Sequence, residues 1–289
     1  MAAGLRDIKR RIGSVKNTRQ ITKAMKMVSG AKLKRAQDRA TNARPYADSI
    51  RRVLGRVAQS AGDELAHPLM SSYDEVTKVL VVVVASDKGL CGGFNGQLFR
   101  KTRTFLADDL AGKEVVVRTY GKKATAYFAD QDVLGSEIGL APTRFVALAS
   151  DLANFMTAPF QSGEVQEVYL VYNEFHSVMT QEPSFHRVLP LTVEQAAGQA
   201  AEANGADYEF EPGGPELLNV LLPLLLQTSL LQAFFESEAG EHASRMKAMD
   251  AATRNASDLI DSLTLKYNRA RQAAITTEII EIVSGAEAL

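Results

Sequence analysis

The eleven residues SDKGLCGGFNG, at positions 86–96, are the part of the sequence that most resembles a reaction centre. They contain four glycines and the only cysteine of the chain, and they directly follow the apolar run VLVVVVA. A glycine-rich loop after a buried strand is where α/β proteins often bind phosphate groups or place a nucleophile. The loop is therefore the first candidate for an active site.

The residue types in this loop do not fit a phosphate site. A P-loop needs a lysine and then a hydroxyl residue after its glycines, whereas Lys88 precedes them here. The dinucleotide fingerprint needs the pattern GxGxxG, but Gly89, Gly92, Gly93 and Gly96 are spaced 3, 1 and 3. Both kinds of nucleotide-binding loop are therefore disfavoured.

Cys91 also lacks the neighbours of a catalytic nucleophile. Activation requires a base, and the nearest histidine in the sequence, His67, comes before the strand. The four histidines show no metal-ligand spacing, and one cysteine cannot form an internal disulfide. We predict no catalytic residue, no metal and no cofactor. The glycines then allow a tight turn in which Ser86 or Asp87 bonds loop amides and Asn95 lies near a helix start.

Positive charge is concentrated at the N-terminus. Residues 1–56 contain 16 Lys and Arg against three Asp, a local charge of 16 − 3 = +13 in a chain whose net charge is −1. Three interpretations compete: an organellar transit peptide, an arm that binds nucleic acid or anionic membranes, and the solvated face of a long helix with an acidic partner.

The apolar residues of this segment have a helical period. Two sets repeat the steps 3, 4 and 3: Leu5, Ile8, Ile12 and Val15, and then, one residue out of register, Thr18, Ile21, Met25 and Val28. The spacing predicts one long amphipathic helix whose stripe shifts after Val15, with a local change of supercoil. A helix of this length needs a partner helix.

The other end of the chain supplies a candidate partner. After EPGGP at 211–215 the sequence predicts helix to about residue 284, with a bend or break at Pro223. The stretch LLNVLLPLLLQTSLL (217–231) is too short and too interrupted for a membrane span, and we interpret it as a buried helix. A coiled-coil seam follows: Met249, Ala252, Ala256, Leu259, Leu263, Tyr267, Ala270 and Ala274. The alternative is two ordinary helices that separate near Gly240.

Between the two ends the pattern changes to alternating strands and helices. Strands are predicted at 76–86, 113–120, 165–175 and 184–192, and helices at about 94–110, 121–130 and 143–160. This order predicts a small Rossmann-like α/β domain with a largely parallel sheet and a final antiparallel hairpin. The predicted fold is α/β plus α: this domain flanks a long two-helix coiled coil made by the two ends of the chain. The predicted ranges are 1–58 for the N-terminal helix, 70–200 for the α/β domain and 212–289 for the C-terminal helix.

Three segments together resemble the gamma subunit of F-type ATP synthase: IKRRIGSVKNTRQITKAMKMVSGAKLKRAQ (8–37), SDKGLCGGFN (86–95) and YNRARQAAITTEIIEIVSGA (267–286). The resemblance spans essentially the whole chain. It implies that the chain is a non-catalytic central stalk and that its terminal helices form a long antiparallel two-helix coiled coil, which threads a ring of alpha and beta subunits. It also implies that the stalk transmits rotation of the c-subunit ring to nucleotide sites on beta. The glycine loop then belongs to the domain beside the stalk.

The resemblance also implies a set of partner contacts. Contacts to the alpha and beta ring fall on Lys23, Met25, Lys26, Arg271, Gln272, Thr276, Glu278 and Glu281. Contacts to the epsilon subunit and the c ring fall on Tyr208 and Glu209. The basic N-terminal helix would meet acidic segments of beta, which favours the third interpretation of its charge. No nucleic acid is expected, and the membrane is reached only through the complex.

The implied location is the cytoplasmic face of a bacterial plasma membrane, or an organellar inner membrane if the chain is a mature one. Two rival functions are kept. An α/β nucleotide-dependent enzyme with helical extensions would bind ATP or NAD tightly, and a basic coiled-coil adaptor would bind membranes or DNA with a steep salt dependence.

Overall fold

The computed structural model describes residues 2–61, 67–192 and 214–287. Two compact units are present: Met1–Gly30 with Arg245–Leu289, and Ala31–Ser244. The two longest helices each run through both units. In chain order the elements are α1 (Ala2–Ala61), β1 (Lys78–Val84), α2 (Phe94–Asp108), β2 (Glu114–Tyr120), α3 (Lys122–Tyr127), β3 (Val133–Glu137), α4 (Phe145–Gln161), β4 (Glu167–Phe175), β5 (Gln181–Leu189) and α5 (Gly214–Glu287).

The sheet of the second unit has the strand order β3-β2-β1-β4-β5. The first four strands are parallel, and β5 returns antiparallel to β4, as the sequence predicts. The sequence analysis missed β3. This edge strand contains only two apolar residues, Val133 and Leu134, before Gly135, so its pattern is too weak to indicate a strand.

Both faces of the sheet are covered, which explains the almost continuous valines of β1. Leu80, Val82 and Val84 lie in one core with residues of α1, α4 and α5. Val79, Val81 and Val83 lie in a second core with residues of α2 and α3. Because successive side chains of a strand point to opposite faces, a strand buried on both sides must be apolar throughout.

The leucine-rich start of α5 belongs to the first of these cores. Its buried leucines are Leu218, Leu222, Leu225, Leu226 and Leu230. By length and composition alone the helix could also cross a membrane, but it carries these side chains against the sheet and against α1 and α4. The prediction of a buried helix is confirmed.

The prolines do not end the long helices. Pro223 lies inside α5, which continues from Gly214 to Glu287, and Pro45 lies inside α1. A break at Pro223 is therefore wrong, and so is the alternative of two helices that separate near Gly240, whereas a bend at Pro223 stays a prediction. Proline removes one backbone hydrogen bond, whereas Leu222, Leu225 and Leu226 around it are almost fully buried and hold the helix against the core. The predicted domain ranges 1–58, 70–200 and 212–289 remain predictions.

Candidate partner-binding surface

The two terminal helices contact each other within the first compact unit. The Thr253 hydroxyl lies 2.8 Å from the Thr22 hydroxyl, and the Lys26 Nζ donates to Asp250 Oδ1 at 2.5 Å. As the residue number rises along α1, the number of the contacted residue falls along α5. The helices are therefore paired, as the heptad spacing of both ends predicts, and antiparallel, as the family resemblance implies.

The inner face of α1 keeps one register and does not shift after Val15. The residues that are buried or half-buried along this face are Leu5, Ile8, Ile12, Val15, Arg19, Thr22, Met25 and Ser29. Ile21 and Val28, which the sequence analysis placed in a shifted stripe, are 60% and 56% exposed. Thr18 is exposed as well, so the shifted stripe is wrong for three of its four residues, and only Met25 lies half-buried on the inner face beside Thr22 and Ser29.

The seam of α5 is also corrected at one position. Met249, Ala256, Leu263 and Ala274 are buried as predicted, but Leu259 is 39% exposed and its neighbour Ile260 is only 7% exposed. Both residues are apolar, so composition alone could not choose between them. With Thr253 half-buried, the inner positions follow regular steps of three and four.

Apolar side chains on the outside of α1 form a surface that the sequence analysis missed. Ile21 and Val28 are seven residues apart and share one face of the helix, and both are more than half exposed. Exposed apolar groups at such positions indicate contact with another chain. The available signal was their position: they fall one residue outside the register that runs from Leu5 to Val15.

The predicted contact residues of α1 differ in their exposure to solvent and in the bonds that they already make. Lys23 is exposed and Met25 is half-buried. Lys26 is 45% exposed in its side chain, yet its ammonium already bonds to Asp250, and this hydrogen bond lowers the pKa of Asp250. Arg254 contacts the other oxygen of Asp250 at 2.7 Å. Lys26 therefore joins the two helices as well as lying on the outer surface.

The predicted contact residues near the end of α5 all lie in solvent. These residues are Arg271, Gln272, Thr276, Glu278 and Glu281. Five large apolar residues of the same segment are also about half exposed or more: Ile275, Ile279, Ile280, Ile282 and Val283. The end of the helix thus presents polar groups and an apolar surface together, and no residue within 2–61, 67–192 or 214–287 covers them. Tyr208 and Glu209 lie outside the described residues.

The glycine loop has internal hydrogen-bond partners. Asn95 Oδ1 accepts from the Ser86 backbone N–H at 3.2 Å, and its Nδ2 lies 3.4 Å from Cys91 Sγ. Cys91 is buried. His67 Nδ1 accepts from the Leu69 backbone N–H at 3.1 Å, and burial lowers the pKa of His67. These contacts fit the predicted structural turn.

The same loop packs against the long helix α5. A Cβ added to Gly240 would lie 3.0 Å from the ring of Phe94, which is closer than most Cβ contacts, so any side chain here would require the buried ring to shift. Nearby, Arg39 NH2 lies 2.8 Å from both carboxylate oxygens of Glu238. Burial raises the pKa of Glu238, and the Arg39 guanidinium opposes that shift. The domain, α1 and α5 are therefore joined by close packing and by an ion pair.

Comparison of the sequence with known proteins gives one family. A sequence model of the family described as ATP synthase matches residues 4–289. The ATP synthase gamma chain of Anaeromyxobacter sp. (strain Fw109-5) is 47% identical over 99% of each chain. The ATP synthase gamma chain of Phenylobacterium zucineum (strain HLK1) is 45% identical over 99% of this chain and 100% of its own length.

Solved structures share the fold. A chain of the Euglena gracilis mitochondrial ATP synthase, from the OSCP/F1/c-ring structure in rotational state 3, has a TM-score of 0.66 and 20% identity, covering 100% of this chain and 95% of that one. A chain of the Euglena gracilis rotor in rotational state 1 has a TM-score of 0.64 and 18% identity, covering 95% and 100%. At this identity the likeness concerns the fold alone.

Proposed function

Because this chain belongs to the ATP synthase gamma-chain family, we propose that its paired terminal helices form the shaft of the central stalk and act on the catalytic ring through their outer surfaces. The chain is a non-catalytic subunit, and the alternative of a nucleotide-dependent enzyme is not favoured. The observation that carries the proposal is the antiparallel pairing of the two termini, with polar and apolar side chains left exposed along α1 and at the end of α5.

The alpha and beta subunits are the proposed partners of these surfaces. Lys23, Met25 and Lys26 on α1 would meet acidic segments of beta. On α5 the proposed contacts are Arg271, Gln272, Thr276, Glu278 and Glu281. Exposure of all but the half-buried Met25, with the apolar residues beside them, supports this assignment.

The contacts with the epsilon subunit and the c-subunit ring are proposed from the family resemblance alone. Epsilon and the c-subunit ring would bind near Tyr208 and Glu209. The chain would then lie at the cytoplasmic face of a bacterial plasma membrane and reach the membrane only through the complex. Its high identity to gamma chains of bacteria supports this location.

A rotating shaft changes the nucleotide sites only if it contacts them unequally. A state that is to be favoured about 10⁴-fold must gain about 5.5 kcal/mol of differential contact energy. Hydrogen bonds to charged groups contribute about 1.5–3 kcal/mol each. A few asymmetric contacts from residues such as Arg271 and Glu278 are therefore enough, and a threefold-symmetric surface would produce no change.

Coupling in the assembled complex tests this proposal. Replacing Arg271, Gln272 and Thr276 together by alanine should lower ATP-driven proton pumping relative to ATP hydrolysis by several-fold, because the ring loses its contacts with the shaft. The measurement is acidification of reconstituted vesicles beside the rate of ATP hydrolysis.

A matched control is available on the surface of α2. The double variant Arg100→Ala, Lys101→Ala changes exposed cations of the α/β domain and should leave the ratio of pumping to hydrolysis at the wild-type value. An unchanged ratio in the triple variant would contradict the proposed contacts on α5.

A further inference from the structure

The carboxyl ends of the parallel strands are where an α/β sheet of this kind holds its ligands. The usual position is a crevice next to the strand at which the order reverses. Here the chain proceeds from β1 outward to β2 and β3 and then crosses to β4 on the other side of β1. The glycine loop that follows β1 therefore stands at this position.

One side of the position is filled by the carboxylate of Asp87. Its Oδ1 accepts hydrogen bonds from the backbone N–H groups of Lys122 at 2.9 Å and Gly139 at 3.2 Å. Its Oδ2 accepts from the backbone N–H of Leu140 at 2.6 Å. Converging backbone amides of this kind are how α/β proteins bind the oxygens of anionic ligands. We refer to these three amides as the amide cradle.

The other side is filled by Phe94 and by α5. The Phe94 ring packs on Gly240 of the long helix. The backbone carbonyl of Phe94 accepts a hydrogen bond from Asn173 Nδ2 at 3.2 Å. Asn173 is buried near the end of β4. Asp87 and Phe94, which begin and end the glycine loop's contacts with other segments, thus both already have partners within the chain.

We propose that Asp87 is an internal anion that fills the amide cradle and positions the glycine loop. In this role it replaces the small carboxylate or oxyanion that the three amides would otherwise bind. It links the end of β1 to the start of α3 and to the loop after β3. The amides that it binds in these two segments, those of Lys122 and Gly139, follow Asp87 in the sequence by 35 and 52 residues. The loop so held carries Leu90, whose φ of 61° is left-handed and whose side chain is 65% exposed. The proposal concerns the α/β domain and is independent of the shaft contacts.

Hydrogen exchange with and without formate tests the cradle. In the purified full chain, Asp87→Ala should accelerate exchange of the Gly139 and Leu140 amides by at least about tenfold, because the charged acceptor is lost. Sodium formate should restore much of this protection, since it supplies a carboxylate of the size removed, while sodium chloride at the same ionic strength should not. Asp108→Ala, which removes an exposed carboxylate of α2, should leave these amides protected and insensitive to formate.

A second variant keeps the test valid if Asp87→Ala does not fold. Asp87→Asn retains the shape of the side chain but not its charge, so it should expose the same amides partly and leave no room for formate. Wild-type protection in either variant would overturn the proposal. Loss of protection in Asp87→Ala without recovery that is specific to formate would also overturn it.

Discussion

At the scale of single residues, two glycines in helices differ in how closely other residues pack against them. Gly240 in α5 faces the ring of Phe94, which a Cβ would approach to 3.0 Å, while a Cβ at Gly13 in α1 would meet nothing within 4 Å. The first glycine is required for the close packing of α5 on the glycine loop. The second only weakens its helix, because glycine is a poor helix former.

We therefore predict opposite effects of the same substitution at these two positions. Gly240→Ala should lower the free energy of unfolding by about 1–3 kcal/mol, because the tightly packed ring has to move. Gly13→Ala should raise it by up to about 1 kcal/mol. Urea denaturation of the two variants, followed by circular dichroism, measures both changes. Equal stabilisation by both alanines would show that Gly240 is not needed for packing.

Asp87 is another residue whose role depends on its surroundings. Its carboxylate is only half-buried, yet three backbone amides from two other segments converge on it. The sequence analysis allowed for Ser86 or Asp87 as a partner of loop amides. It could not identify the amides, because they come from distant parts of the chain.

At the scale of elements, the pairing of α1 with α5 shows which side chains of α1 face the partner helix and which face solvent. Between Val15 and Leu33 the inner face of α1 contains small or polar residues such as Thr22 and Ser29, both buried. The larger apolar side chains Ile21 and Val28 point outward. A helix that must pair with one partner and slide past others has two apolar surfaces to provide. The interface within the pair then contains side-chain contacts such as Thr22–Thr253 and Lys26–Asp250.

Adjacent residues of α5 give a direct test of this division. Ile260→Ala should destabilise the chain by about 2–4 kcal/mol, since it removes a buried side chain from the seam. Leu259→Ala changes the neighbouring, partly exposed residue and should cost about 1 kcal/mol or less. The measurement is the free energy of unfolding of each variant in urea. The assigned register is contradicted if Leu259→Ala is the more harmful of the two.

At the scale of the whole molecule, two distant termini have to turn as one body. Helix α1 comprises 60 residues and α5 comprises 74, which corresponds to about 90 and 110 Å at 1.5 Å per residue. Such helices need lateral support, because an isolated helix transmits torque poorly. The antiparallel contacts Thr22–Thr253 and Lys26–Asp250 supply this support between the two ends of the chain.

A disulfide across this pairing should form without stopping the motor. The variant Thr22→Cys, Thr253→Cys places two thiols where hydroxyl oxygens are 2.8 Å apart, which is compatible with a disulfide after small adjustments. Because both helices belong to one rotor, the oxidised complex should keep at least about half of its wild-type ATP hydrolysis and proton pumping. Non-reducing electrophoresis measures the bond, and Cys91→Ser in every variant removes the natural thiol.

The control for this disulfide uses residues outside the seam. In the register set by Thr22–Thr253, Val28 and Leu259 lie about twelve residues apart along the axis, or about 18 Å, so Val28→Cys, Leu259→Cys should stay reduced. Formation of the control bond and not of the seam bond would contradict the pairing. Loss of activity that a reductant restores would contradict rotation of the two helices as one body.

Much of this architecture could be predicted from the sequence, because its signals are local. The valine run of β1 indicates a strand buried on both faces, and alternation with helices indicates a parallel sheet. The heptad spacing from Leu5 to Val15 indicates a paired helix, and three motifs in order indicate the family. The failed P-loop and dinucleotide patterns argued against a nucleotide site in the loop.

Other features were decided only by the tertiary structure. Hydrophobicity shows that a side chain avoids water but not which surface covers it, so Ile260 could not be separated from Leu259, and Ile21 was taken for a seam residue. The weak edge strand β3 forms because β2 offers it a partner, and Pro223 remains helical because its neighbours are anchored in the core. In each case the deciding energy comes from a contact with a segment far away in the sequence, and no local pattern contains that contact.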